Sequence, residues 1–136
     1  MKVLILCTGN SCRSQMAEGI LQALKPQWHV RSAGTKPTNE VHPSAVIVMA
    51  EAGIDLASYK PKSVAGYLAE QWDLVWTVCG GAKETCPNFT GKVKEKIHIG
   101  FDDPAEFTGS AQDVLNGFRR VQVLINNTCK ELAKKY

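Results

Sequence analysis

The stretch Val3-Leu4-Ile5-Leu6-Cys7-Thr8-Gly9-Asn10-Ser11-Cys12-Arg13-Ser14-Gln15-Met16-Ala17 decides the fold. Val3 to Leu6 form a continuous apolar run, the pattern of a strand buried on both faces. From Ser14 the period changes. Met16, Ala17, Ile20, Leu21 and Leu24 fall on one helical face, and Pro26 stops the helix. Between strand and helix lies a short polar loop. A loop entering a helix turns backbone N–H groups into one concavity, and the helix dipole adds partial positive charge there. Gly9 and Asn10 are expected to take the unusual backbone angles of such a nest. Arg13 adds a planar fork of donors that matches a tetrahedral oxyanion. Cys7, at the base of the loop, would sit in a field that favours the reactive thiolate, with the Ser14 hydroxyl in reach of its sulfur. The alternative is a tight turn with a packed cysteine. A Cys and an Arg at this spacing, in strand–loop–helix context, favour the reactive reading.

Outward from this unit, strands and helices alternate. A short strand is expected near His29 to Ser32, before Gly34. Val46 to Met49 could form a strand, but Pro43 in a first-turn position, the alanines around Glu51 and Gly53 as a stop predict a helix over 43–52. Ser63 is placed to cap a short helix running to about Gln71. Leu74 to Val78 reads as a second buried strand ending at Cys79, and Ile97 to Gly100 as a further strand before Asp102-Asp103-Pro104. Ser110 with Asp113 has the form of a capping box, followed by Val114, Phe118, Val121, Ile125 and Leu132 at helical spacing. This alternation predicts an α/β fold with a parallel sheet, in one domain spanning 1–136.

Composition narrows the function. The chain has 136 residues, 44% hydrophobic and 21% charged, enough to bury a core without disulfide or metal staples. A formal net charge of +3 gives no support to nucleic-acid binding. No apolar run approaches the ~18 residues of a membrane span, and the apolar start is too short for a signal-peptide core. The expectation is a cytoplasmic protein, without a membrane or nucleic-acid partner. In that reducing compartment its five cysteines point to catalytic or redox use.

Cys7 through Ser14, continuing into Gln15-Met16-Ala17-Glu18-Gly19, resembles the active-site loop of the low-molecular-weight tyrosine phosphatase superfamily, in the form of its thioredoxin-coupled arsenate reductases. Ser32-Ala33-Gly34, the Cys79 and Cys86 pair and Phe101-Asp102-Asp103-Pro104 follow in the same order, so the resemblance covers essentially the whole chain. It implies a four-stranded parallel sheet flanked by helices. It implies that Thr8, Gly9, Asn10, Ser11, Cys12, Arg13 and Ser14 form the oxyanion pocket, for arsenate or for phosphate or sulfate as analogues. Asp103, before Pro104, falls at the general-acid position, with Asp102 as the neighbouring candidate. A plain turn is the simpler reading of that acidic pair.

Cys79 and Cys86 separate a reductase from a phosphatase. If the strands ending in Cys7 and Cys79 are neighbours, about 4.8 Å apart, both thiols open on the carboxyl edge of the sheet and a disulfide between them is plausible. A helical segment would hold Cys79 and Cys86 about 10 Å apart, too far for a disulfide, so their pairing requires a loop, which Gly80-Gly81 allows. Two unrelated thiols or half a metal site are the alternatives, but zinc needs about four ligands and His98 is the only nearby histidine. The resemblance implies a relay through Cys7, Cys79 and Cys86, with thioredoxin as external reductant and no bound cofactor; a glutaredoxin with glutathione stays open. Ala105 stands where the family's phosphatases usually carry a tyrosine after Asp-Pro, which favours the reductase over a tyrosine or small-molecule phosphatase. Some reductases of this family bind potassium beneath the loop, and Asn10, Glu18 and Ser32 match that site; its expected acidic ligand is Lys62 here, whose ammonium could supply the charge, the alternative being a solvent-exposed lysine. Cys12 and Cys129 read as packing residues, His29, His42 and His98 have no evident partner, and the lysine-rich stretches 92–96 and 130–135 read as solvated faces. The fold is expected to suffice as a monomer.

Overall fold

The computed structural model describes residues 1–79 and 87–136. Strand β1 (Lys2–Cys7) leads through the loop into helix α1 (Arg13–Leu24), followed by β2 (His29–Gly34), α2 (Pro43–Glu51), β3 (Trp72–Cys79), β4 (Val93–Phe101) and α3 (Ala111–Lys135). The four strands form one parallel sheet in the order β2-β1-β3-β4. The two most apolar strands, β1 and β3, therefore lie in the middle.

The alternation of side chains across the pleat divides the core in two. Val3, Ile5, Leu74 and Trp76 pack on one face with Met16 and Ile20 of α1, Val48 and Met49 of α2, and Phe118 and Ile125 of α3. Leu4, Leu6 and Val75 point to the other face, beneath Val64, with Tyr67 and Phe89 against them. Trp72 and Trp76 are fully buried, and each indole N–H finds a backbone carbonyl, of Tyr67 and Ile99 respectively. Burial without loss of that hydrogen bond makes them packing residues.

The structure sharpens the local expectations. The helix expected over 43–52 forms as α2, with Pro43 in its first turn and Gly53 beyond its end at φ +83°. His42 has a partner after all: its Nδ1 accepts the Ser44 N–H at 3.1 Å, capping α2, and its ring lies tilted against Phe118, centroids 4.8 Å apart. His98 meets Thr77 Oγ1 at 2.6 Å. The Ser110–Asp113 capping box is formed at the start of α3.

The helix expected from Ser63 to Gln71 is instead a single 3-10 turn, Val64–Gly66, capped by the Ser63 hydroxyl. Gly66 inside this short segment lowers helix propensity, and the chain is drawn back to the sheet, where the Trp72 N–H donates to the Lys92 carbonyl. The fourth strand is longer than expected, nine residues from Val93, because β4 pairs with β3 from Trp72 onward. Within it Lys94 and Lys96 face solvent, alternating with half-buried Val93, Glu95 and Ile97.

Candidate active site

Cys7 ends β1, so the parallel sheet delivers its thiol to the carboxyl edge, where the loop begins. The Asn10 N–H donates to Cys7 Sγ at 3.1 Å, and Ser14 Oγ lies 2.8 Å from the same sulfur.

Asn10 shapes the loop. Among the described residues it alone, apart from glycines, has a left-handed backbone, at φ 52°. Asparagine tolerates this region better than other L residues. Its buried side chain is held on every side: Nδ2 donates to Ser14 Oγ (2.7 Å) and Ser32 Oγ (2.9 Å), while Oδ1 accepts from Gln15 Nε2 (2.9 Å) and the Lys62 N–H (2.8 Å). The expectation that Gly9 shares this strained conformation is not met, since Gly9 has no positive φ. Gly9 answers to space instead: a Cβ there would lie 3.2 Å from Thr38 Cγ2. Gly34 is tighter still, because a Cβ would lie 2.5 Å from the Thr8 carbonyl oxygen. Backbone N–H groups of Thr35, Lys36 and Thr38 donate to the carbonyls of Cys7, Thr8 and Gly9, so a second segment braces the loop from outside.

No side chain caps α1 and no acidic residue stands in its first turn. Its leading N–H groups thus keep hydrogen-bonding capacity for an anion in the loop. Arg13 completes that pocket. It is only 6% exposed. Its Nη1 donates to the Phe101 carbonyl at 3.2 Å, and its Nη2 lies 3.6 Å from Asp103 Oδ2. The carbonyl anchor has no sequence signal, because any residue at 101 supplies one.

Asp103 also accepts the Ala105 N–H through Oδ1 and so caps the 3-10 turn Pro104–Glu106. The turn reading and the acid reading of this aspartate are therefore compatible: one oxygen orients the carboxyl, the other faces Arg13. Asp102 is exposed and has no such contact, which separates the two candidates.

Cys79 ends β3, the direct neighbour of β1. Its sulfur lies 3.9 Å from Thr8 Oγ1, next to Cys7, and both cysteines are about 5% exposed or less. Cys86 lies outside the described residues. Of the loop's other residues, Thr8 and Ser11 are half-buried beside the opening, whereas the Cys12 side chain is buried against the core. Burial pushes both the Cys12 and the Cys129 thiols up to about 12. At pH 8 such a thiol is ionised in about one molecule in 10⁴. Iodoacetamide added to the reduced, folded protein at pH 8 should therefore leave Cys12 and Cys129 unmodified until denaturant is added. Peptide mapping that found Cys12 alkylated at the rate of an exposed thiol would overturn its assignment as packing.

Fold and site together define an α/β protein that brings a cysteine thiol, an arginine guanidinium and an aspartate carboxyl together around the loop at the carboxyl edge of a parallel sheet. Residues 2–136 match the family described as low molecular weight phosphotyrosine protein phosphatase, and the chain belongs to that family. It is 43% identical over 133 residues to an arsenate reductase of Halalkalibacterium halodurans, covering 97% of this chain and 94% of that one. The structure of an arsenate reductase in a phosphate-binding state superposes with a TM-score of 0.82 at 30% identity, covering 98% of this chain and 97% of the other. A thioredoxin-dependent arsenate reductase of Corynebacterium glutamicum superposes with a TM-score of 0.69 at 25% identity, over 98% of this chain and 60% of that chain.

Proposed function

We propose that the protein reduces arsenate to arsenite with electrons from its own cysteines, and that a thioredoxin restores them. The observation that carries this reading is Cys79 at the end of the strand beside Cys7, its sulfur 3.9 Å from Thr8 Oγ1. A phosphatase has no use for a second thiol there. The family relatives named above as arsenate reductases, one of them thioredoxin-dependent, support it.

The chemistry runs in three displacements. Arsenate enters the loop, held by α1's leading N–H groups and Arg13. The Cys7 thiolate attacks arsenic, an arsenic-bound hydroxyl takes a proton from the Asp103 carboxylic acid and departs as water, and a Cys7–arsenic(V) bond forms. The Cys79 thiolate then attacks Cys7 Sγ. The sulfur–arsenic bond breaks with its electron pair going to arsenic, which leaves as arsenite, and a Cys7–Cys79 disulfide remains. The Cys86 thiolate attacks Cys79, freeing Cys7, and thioredoxin reduces the resulting Cys79–Cys86 disulfide. A dithiol near −270 mV is a suitable donor.

Among the described residues no helix is long and apolar enough to cross a membrane. Action as a monomer in the cytoplasm fits this reading. Phosphate-ester hydrolysis is the second reading, because the loop and Asp103 would serve it equally, with water in place of Cys79.

The deciding assay couples arsenate to NADPH oxidation through thioredoxin and thioredoxin reductase, beside hydrolysis of an aryl phosphate. Arsenate-dependent NADPH consumption with weak hydrolysis is expected. Hydrolysis without arsenate-dependent oxidation would establish the phosphatase, and activity only with glutaredoxin and glutathione would replace thioredoxin as donor.

A further inference from the structure

Beneath the loop a buried carboxylate is wired to the nucleophile. Glu18, on α1, is 8% exposed. Its Oε1 accepts the Ser32 hydroxyl at 2.8 Å, Ser32 Oγ accepts Asn10 Nδ2 at 2.9 Å, and the Asn10 N–H donates to Cys7 Sγ at 3.1 Å. An uncompensated negative charge at the far end of this line would oppose both a thiolate at Cys7 and an anion above it. The compensating charge is Lys62. Its Nζ lies 3.7 Å from Glu18 Oε1 and donates to the Lys60 carbonyl at 3.3 Å. Its backbone N–H donates to Asn10 Oδ1, so the same residue also fixes the left-handed corner of the loop. With its side chain 32% exposed, Lys62 is a partner of Glu18 and not a freely solvated lysine.

Three of the oxygens that a resident potassium ion would use are already engaged, and an ammonium stands 3.7 Å from the carboxylate. Asn10 Oδ1 accepts two N–H groups, Ser32 Oγ both donates and accepts, and Glu18 Oε1 serves Ser32 and Lys62. These residues do not fit the ion. We propose that the Lys62 ammonium is a built-in counter-cation for the oxyanion loop: a positioning residue that neutralises Glu18 and makes anion binding independent of potassium. A cavity of about 340 Å³, lined by Glu18, Arg31, Tyr59, Lys60, Lys62 and Tyr67, opens beside it. Solvent ions can therefore reach Glu18 once the ammonium is removed.

The inference rests on the loop being an oxyanion site and not on arsenate reduction, so inorganic phosphate is the probe. Its affinity for the reduced protein is measured by calorimetry in potassium, sodium and choline chloride at equal ionic strength, with melting temperature in each salt. The unaltered protein should bind phosphate equally in all three, within about twofold. Lys62→Asp should lose about tenfold in sodium or choline and recover in potassium, because the introduced carboxylate and Glu18 then share an added ion. Lys62→Arg should behave as the unaltered protein, and Lys62→Met should lose affinity in every salt. A rise of phosphate affinity or melting temperature specific to potassium in the unaltered protein would overturn the proposal. So would undiminished phosphate binding by Lys62→Met. If Lys62→Asp does not fold, those two measurements still decide. Loss of arsenate reduction with this salt pattern intact would count against the reductase reading alone.

Discussion

Cys79→Ser should stop arsenate reduction while leaving phosphate binding and any phosphate-ester hydrolysis in place. Cys7, Arg13 and the loop suffice to bind and attack the oxyanion, but only a second thiol can break the sulfur–arsenic bond so that its electron pair stays on arsenic. Cys7→Ser should remove both activities. Cys86→Ser should separate the last two steps: the protein forms Cys7–Cys79, releases about one arsenite per chain and stalls. Because Cys7 and Cys79 are buried, that disulfide should be slow to react with thioredoxin, since exchange depends on access to the attacked sulfur. Quantifying arsenite per chain in a single turnover, with peptide mapping of the disulfide, tests the sequence of events. Sustained thioredoxin-driven turnover by Cys79→Ser or Cys86→Ser would refute the relay.

Arg13→Ala should lower arsenate turnover by at least the ~10²–10³-fold typical of losing one preorganised donor, because here a charge is lost with it. Two further costs follow from the geometry. The Phe101 carbonyl loses its guanidinium donor, and Asp103 loses the cation 3.6 Å away. Asp103 keeps its cap on Ala105, so the turn should stay folded. Phosphate titration and a melting curve on the same variant distinguish a lost anion site from a lost fold. Near-normal turnover in the folded variant would sink the assignment of the loop.

The α/β class and the nucleophile loop were legible because both follow from local pattern. A four-residue apolar run, a polar loop and helical spacing of Met16, Ile20 and Leu21 leave few alternatives. The capping box of α3 and Pro43 at the start of α2 were likewise readable, since capping depends on residues three or four apart. What was not legible depends on tertiary contact. Ser63 has the chemistry of a cap, yet the segment after it makes one 3-10 turn because Trp72 is committed to the sheet. Gly9 carries a residue type associated with unusual backbone angles, while the strain falls wholly on Asn10, whose side chain has four partners to hold it. Two chemically identical neighbours, Asp102 and Asp103, are separated only by which one the turn aims at Arg13. His42 showed no partner in sequence because its Nδ1 meets a backbone N–H, which any residue but proline at 44 would supply, and its ring lies against Phe118, 76 positions away.

The burial of Arg13 bears on how tightly a small ligand can be held. A flexible arginine that ordered only on contact would forfeit roughly 1.5–2 kcal/mol of rotamer freedom at the moment of binding. Here the Phe101 carbonyl and Asp103 already confine the guanidinium beside the loop. That ordering cost is incurred once, during folding, where the whole core shares it. An anion of only five heavy atoms has few contacts with which to offset such a penalty, so a rigid arginine lets nearly all of them appear as affinity.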